Sequence, residues 1–367
     1  MPSRTRFRDL LALALLACSS DESETDSAQT VYELEEPRAG PRSIAGFALV
    51  EVDEGVMMVV GRRVVHVAKG THAATTIHEA ARVHSALGID DKFVYFATQR
   101  PDRLHYATFT KLPDDGEPDG YMYRVQRRAP FTAEKLAPVG ILTGHIEVKS
   151  GRIHVCSSHG INDSGSILEL ATASPRSAAE RVIVGYNQFC QSVVADEDRL
   201  YFTVDQTYGP KRPSAAGLVL ETMTPGRATP QELLVTEVKG IHDLLIRKGE
   251  LVLLSGTDAL FVSKEGKVRE TMRAGTLGLL APLGEAGWVW SKDSNQSAEL
   301  GRVCQQGRLY AGATTSAGRE LTQNVCYVRA ITAGAAGLWF LEYADIIEVG
   351  GPGSLRYRLK LLPSPQL

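Results

Sequence analysis

Four residues with metal-binding or proton-transferring side chains recur at matching places along the chain. Each lies eleven or twelve residues before a residue inside a β-prone run, and the four are His84, His145, Cys190 and His242. Three neutral imidazoles at one level of a protein can bind Zn²⁺ or another transition metal. They can also exchange protons near neutral pH. Glu147, two residues after His145, would share its face of a strand and could add a carboxylate.

These residues also fit a purely structural role. Small polar side chains and imidazoles can bond to backbone carbonyls where neighbouring strands crowd together. The sequence contains no Gly-x-Ser-x-Gly elbow, no Gly-x-Gly-x-x-Gly and no Walker string, so it names no substrate. We therefore predict no obligatory cofactor, and the histidines leave a transition metal as the one candidate.

The elements that would align these residues repeat along the chain. A short apolar segment is followed by Asp or Gly and then by a β-prone run, most clearly in residues 194–203. The Asp or Gly predicts a tight turn, and the aromatic and β-branched residues after it predict a half-buried strand. The runs begin at residues 56, 93, 153, 200, 251, 288 and 338, an average spacing of about 47 residues.

This spacing predicts an all-β fold, a β-propeller of seven blades with about four strands each. Residues 194–203 resemble the blade repeat of bacterial propeller proteins. Six or eight blades stay open because the first unit is faint and 60 residues separate the runs at 93 and 153. A pair of β-sandwiches is the structural alternative. First strands line the channel of a propeller, so the four residues above would face one level of it.

Two segments predict how the ring closes. Residues 355–363 alternate between apolar and polar side chains and predict the final strand. Residues 30–36 predict a strand that supplies the outer position of the last blade and hides its open edge.

The first eighteen residues predict export. Arg4, Arg6 and Arg8 precede an apolar run, residues 10–17, which is far shorter than the roughly 20 residues that span a bilayer. Leu15-Leu16-Ala17-Cys18 resembles the lipobox of bacterial lipoproteins, which implies cleavage before Cys18 and attachment of acyl chains such as palmitate to that cysteine. A cleaved secretory signal with an incidental cysteine is the alternative. Ser19, by the same resemblance, implies the outer membrane of a Gram-negative envelope.

The signal, the acidic segment and the repeats divide the chain into three predicted parts. Residues 1–17 form the signal peptide, 18–40 the lipidated cysteine and an acidic tether, and 41–367 the propeller. Residues 19–36 contain seven acidic residues and no Lys or Arg, a composition that predicts a disordered tether. The rest of the chain is nearly balanced in charge, which excludes an electrostatic footprint for nucleic acid.

Four cysteines remain if Cys18 carries lipid: Cys156, Cys190, Cys304 and Cys326. An even number in an exported protein predicts disulfides. Three pairings are open, and we favour Cys156–Cys190 with Cys304–Cys326 because each joins neighbouring repeats.

The sequence thus predicts an envelope-anchored lipoprotein whose propeller is a non-catalytic binding or scaffold module for a protein, peptide or glycan. The alternative is a propeller enzyme, a lyase or hydrolase that uses the channel histidines. A subunit of a larger envelope assembly is a third interpretation, which an exposed apolar patch would mark.

Overall fold

A computed structural model describes seventeen segments of the chain. They are residues 28–37, 46–100, 118–158, 166–173, 180–184, 189–197, 199–205, 218–224, 230–236, 241–255, 258–273, 279–283, 287–292, 307–314, 318–325, 327–346 and 354–363. These segments contain 28 β-strands in seven four-stranded antiparallel sheets. Within them, no helix has the length and apolar character needed to cross a bilayer.

Each sheet is one blade. Blade 1 comprises β2 (Gly46–Val52), β3 (Gly55–Gly61), β4 (Arg63–Ala68) and β5 (Ala74–Glu79). Blade 2 comprises β6 (Gly88–Ile89), β7 (Phe93–Gln99), β8 (Gly120–Gln126) and β9 (Glu134–Val139). Blade 3 comprises β10 (Ile141–Lys149), β11 (Arg152–Ser158), β12 (Ser166–Ala171) and β13 (Glu180–Val184). Blade 4 comprises β14 (Phe189–Asp196), β15 (Arg199–Asp205), β16 (Leu218–Met223) and β17 (Gln231–Thr236).

The last three blades follow the same plan. Blade 5 comprises β18 (Ile241–Arg247), β19 (Glu250–Ser255), β20 (Asp258–Val262) and β21 (Val268–Arg273). Blade 6 comprises β22 (Leu280–Leu283), β23 (Gly287–Lys292), β24 (Gly307–Gly312) and β25 (Arg319–Val325). Blade 7 comprises β26 (Tyr327–Gly334), β27 (Gly337–Ile346) and β28 (Ser354–Pro363), together with β1 (Gln29–Pro37).

The first strands of neighbouring blades contact one another, as β10 contacts β14 and β14 contacts β18, so they form the wall of a central channel. The prediction of a seven-bladed β-propeller is confirmed. All seven predicted β-runs are the second strands of blades. The described strands of the long interval after residue 93 add no extra blade, because β7 and β8 are adjacent strands of blade 2.

Burial explains the character of the second strands. In β3 all seven residues are buried, since one face of the strand packs on the preceding blade and the other on the next. Met57 and Val59 join the apolar cluster shared with blade 2, whereas Met58 and Val60 join the cluster shared with blade 7. A continuous apolar run is therefore what a second strand requires.

The predicted closure of the ring is confirmed. β1 pairs antiparallel with β28, from Gln29 opposite Leu361 to Pro37 opposite Ser354. Residues 29–37 therefore belong to the propeller, which begins before the boundary predicted at residue 41. The physical reason is the apolar side of β1, where Tyr32 and Leu34, together with Val31 at a bulge, pack against the cluster between blades 7 and 1.

The ring has two distinct ends. One, which we name the turn face, carries the tight turns between first and second strands and the connections between third and fourth strands. Ion pairs between blades bring these turns together: Asp53 lies 2.8 Å from Arg127 and 2.6 Å from Arg128 of blade 2. Asp196 likewise contacts Lys264 of blade 5. The opposite end, the connection face, carries the links between second and third strands and between successive blades.

A disulfide joins two blades. Cys156 in β11 is bonded to Cys190 in β14, with their Cα atoms 5.3 Å apart, so the favoured pairing of these two residues is confirmed. Both cysteines are buried in the apolar cluster between blades 3 and 4. Cys18, Cys304 and Cys326 lie outside the described residues, and the pairing of Cys304 with Cys326 stays a prediction.

Replacing Leu34 with Ala should weaken the closure. The leucine is only partly buried, so we expect the free energy of unfolding to fall by about 1–2 kcal/mol, at or below the low end for buried leucines. Urea denaturation measures the change. The control is Thr30→Ala at an exposed position of the same strand, and equal stabilities of the two variants would contradict the packing of β1.

The disulfide should stabilise the folded chain. Its sequence separation of 34 residues corresponds to about 3–4 kcal/mol in the chain-entropy description. We expect the Cys156→Ala/Cys190→Ala variant to unfold at a correspondingly lower urea concentration, and to lose the linked peptide from a non-reducing digest. Two free thiols at these positions in the oxidised wild-type protein would contradict the pairing.

Candidate functional site

The structure places the predicted channel residues on neighbouring blades. His145 and Glu147 lie in β10, and His242 lies in β18, although the side chain of His242 is outside the described part of the structure. His84 precedes β6 and its backbone N–H donates to Ala97 of β7. Cys190 lies in β14, where the disulfide uses its sulfur, so it is not a ligand in the channel.

A bulge in β10 sets the position of His145. Thr143 pairs with Cys156 and Glu147 with His154, so three residues of β10 stand opposite Val155 alone. Gly144 within this bulge has a φ of 65°, a left-handed conformation that glycine adopts without strain. A Cβ at Gly144 would overlap the carbonyl oxygen of Gln191, so this glycine also lets β14 approach closely.

His145 connects three blades through its Nδ1 atom. This atom lies 2.5 Å from Oδ1 of Asp243 in blade 5 and 2.9 Å from Oγ of Ser192 in blade 4. The Ser192 hydroxyl is also 3.1 Å from the same Asp243 oxygen. On the other side of the ring, His145 Nε2 lies 3.5 Å from Oε2 of Glu147. We name His145, Glu147, Ser192 and Asp243 the channel cluster.

The carboxylates of the channel cluster hold His145 in its charged form. Burial alone would lower the pKa of His145, but the charges and hydrogen bonds of Asp243 and Glu147 outweigh it and raise this pKa to about 10. The imidazole is therefore protonated at neutral pH, and both of its N–H groups point at carboxylates. Glu147 also accepts a hydrogen bond from the backbone N–H of Ala195, at 3.3 Å.

The three residue types of a Ser-His-Asp triad are present, but their arrangement differs. In such a triad the serine contacts Nε2 of the histidine and the aspartate contacts Nδ1. Here Ser192 and Asp243 meet at Nδ1, and the buried serine oxygen also accepts the backbone N–H of Leu244 at 3.2 Å. In this geometry Asp243 occupies the same imidazole nitrogen that Ser192 contacts, so that nitrogen is not placed to take the serine proton as in a triad. The cluster acts as a polar clamp between blades 3, 4 and 5.

His84 makes a second connection, between blades 2 and 3. Its Nε2 donates to the carbonyl of Gly144 at 2.7 Å, while Gln99 Nε2 donates to its Nδ1 at 3.4 Å. Gln99 also donates to the carbonyl of Leu142, 3.2 Å away. Burial lowers the pKa of His84 to about 4, so this imidazole is neutral where His145 is charged.

The described residues contain no group of three or more His, Cys, Asp and Glu side chains arranged to hold a metal ion. His84 and His145 both use their ring nitrogens in contacts within the protein. Both nitrogens of His145 face carboxylates, and both nitrogens of His84 face hydrogen-bonding partners from blades 2 and 3. His84 and His145 therefore make separate contacts between blades, and the predicted ring of imidazoles, which also needs the side chain of His242, stays a prediction.

A further polar group lies beside the channel cluster. His154 of β11 stands opposite Glu147, and its Nε2 donates to Glu169 of β12 at 2.8 Å. Arg152 forms an ion pair with the same Glu169. Burial lowers the pKa of His154 to about 4, so this imidazole is a neutral hydrogen-bond donor beside the charged Glu169 and Arg152.

Sequence reasoning missed Ser192 and Asp243. Both stand at the level of His145. Ser192 lies eleven residues before Thr203 and Asp243 eleven before Leu254, just as His145 lies eleven before Cys156. The prediction counted twelve residues back in both blades, from Phe202 instead of Thr203 in blade 4 and from Leu254 in blade 5. It therefore reached Cys190 and His242, while β-bulges after these strand starts move the channel level onward.

No protein-family model and no curated protein matches this chain. A chain in the crystal structure of the mitotic checkpoint complex superposes with a TM-score of 0.51 at 11% sequence identity, covering 92% of this chain and 97% of that one. A chain of the nidogen/laminin complex gives a TM-score of 0.46 at 11% identity, over 75% and 91% of the two chains. The first likeness supports the propeller fold alone. Propellers commonly act as binding or scaffold modules.

Replacing Asp243 with Asn should release the proton of His145 at lower pH. We expect the pKa of His145, followed by NMR of its ring, to fall clearly below about 10 because the nearest compensating charge is gone while Glu147 remains. Asp196→Asn, at an ion pair on the turn face, is the control. An unchanged His145 pKa in Asp243→Asn would contradict the clamp.

The same shift fixes the direction of a stability effect. Because the folded-state pKa of His145 is raised from 6.5 to about 10, its stabilisation is complete below about pH 6.5 and is lost as the pH rises toward 10. The stability difference between wild type and His145→Gln, measured by urea denaturation, should therefore be larger at pH 6 than at pH 9.5. A difference independent of pH would contradict this assignment.

Proposed function

We propose that this protein is a lipid-anchored binding module, a rigid propeller held at the bacterial envelope by acyl chains on Cys18. The molecule it binds is a protein, peptide or glycan, and its charge-balanced body gives nucleic acid no footprint. The residue after the anchor, Ser19, favours the outer membrane.

The observation that carries this proposal is the position of β1. Ala28 packs against the apolar cluster that contains Leu338 and Leu362, and β1 then completes blade 7. The acidic segment 19–27 therefore leads directly into the closing strand of the ring. An anchor at Cys18 would act on the whole propeller as one body, which suits a module that holds a partner in place.

The channel cluster supports a non-catalytic role. A general base must be unprotonated near the working pH, whereas the carboxylates raise the pKa of His145 to about 10. The hydroxyl, imidazole and carboxylate groups of the cluster are occupied with one another across three blades. These contacts hold blades 3, 4 and 5 together, which is a structural reason for the presence of these residues.

One observation favours an enzyme as the second candidate. The side chains of His145, Glu147 and Asp243 remain 22%, 20% and 31% exposed, so a molecule inside the channel could reach them. A lyase or hydrolase built here would use His145 as a proton donor or as a cation beside a developing negative charge. A pKa of His145 near 7 in the titration above would favour this candidate instead.

Metabolic labelling with a radioactive or clickable palmitate tests the proposal. We expect wild-type protein made in a Gram-negative host to take up the label and to sediment with outer membranes. The Cys18→Ala variant should lose both properties, because the acylated sulfur and the cleavage site disappear together.

Ser20→Ala, two residues from the anchor, is the matched control and should label as wild type does. Equal labelling of Cys18→Ala and wild type would contradict lipid attachment at Cys18. Labelled protein confined to inner membranes would contradict only the outer-membrane assignment.

A further inference from the structure

We infer that the turn face of the propeller is the surface that faces the lipid bilayer, so that the connection face points away from it. This inference rests on the proposed lipid anchor and assigns the side of the ring that the anchor holds near the membrane.

The direction of the strands decides where the tether leaves the ring. β28 ends next to the turn between β26 and β27, since Pro363 pairs with Gly337 and Leu362 with Leu338. β1 runs antiparallel to β28 and begins at that same end, with Gln29 opposite Leu361. The chain before β1 therefore emerges at the turn face.

Ala28 supports this exit point through its packing. Its side chain lies against the apolar cluster between blades 6 and 7, to which Leu338 and Leu362 belong. The chain is thus held on the ring from residue 28 onward, at the turn-face end of blade 7.

The length of the tether limits the other orientation. Residues 19–28 number ten, so the segment between Cys18 and β1 spans at most about 35 Å when fully extended. A flexible chain of this length averages roughly 17 Å from end to end. Strands of six or seven residues separate the two faces by about 20 Å. If the connection face were turned to the bilayer, the segment before β1 would have to run along the side of the ring. That path would use most of its extended length.

Two exposed residues of blade 1 provide a matched pair of probe positions. Arg62 precedes β4 at the connection face and Lys69 follows it at the turn face, so six residues of one strand separate them. The Arg62 side chain donates an exposed hydrogen bond to the carbonyl of Ala80 at 3.3 Å. Both positions can carry a dye on a non-canonical amino acid without using the cysteines.

The experiment measures energy transfer from each dye to rhodamine-labelled lipid. The full-length lipidated protein is reconstituted into phosphatidylethanolamine–phosphatidylglycerol vesicles, with the dye at residue 69 or at residue 62. We expect transfer from position 69 to be at least twofold more efficient than from position 62. Inserting twenty Gly/Ser residues after Ser20 should reduce this difference, because the longer tether no longer restricts the ring.

The outcomes separate this inference from the proposed function. Lipidated protein that shows equal transfer from the two positions, or stronger transfer from position 62, overturns the orientation and leaves the anchor intact. Purified protein without acyl chains overturns the proposed anchor and the orientation with it.

Discussion

The pairing of β1 with β28 is the interaction on which the rest of the molecule depends. Without it, blade 7 would have three strands, and only side-chain contacts would hold the first and last blades together. The pairing joins residues more than three hundred positions apart in sequence. Polar contacts flank it: Ser354 donates to Glu35 at 2.6 Å, and Glu36 reaches Arg63 of blade 1 at 3.2 Å. Exposed ion pairs add little energy, so the backbone ladder and the apolar side of β1 carry the closure.

The polar residues of the channel follow from this closed geometry. The first strands lie around one axis, and those of blades 3, 4 and 5 each carry a bulge next to the channel cluster. A buried hydroxyl or carboxylate there needs partners from the next blade. His145 supplies them for Ser192 and Asp243, and the disulfide between Cys156 and Cys190 joins two of these three blades, blades 3 and 4. Residues that could do chemistry are thereby used to hold the ring.

The repeat of second strands and the closing strand could be predicted from the sequence because their signals are local. A buried second strand needs a continuous apolar run after a turn, and such a run is visible at Leu200 or Leu251. The channel cluster could not be predicted in the same way. Its level depends on bulges, and a slip of one or two residues replaces Asp243 with His242 and Ser192 with Cys190. The charge state of His145 depends on a carboxylate 98 residues away in sequence, which only the ring brings near.

Native-state hydrogen–deuterium exchange tests the central claim, that β1 is an integral part of the closed ring, most directly. The account predicts that the β1 amides that donate to β28, which belong to alternate residues of this edge strand, exchange as slowly as those of β28, and only when the whole propeller unfolds. Exchange of these β1 amides within seconds, while β28 and the other strands stay protected, would contradict the account. The ring would then be closed by side chains alone, and the chain before residue 38 would leave it from a different place.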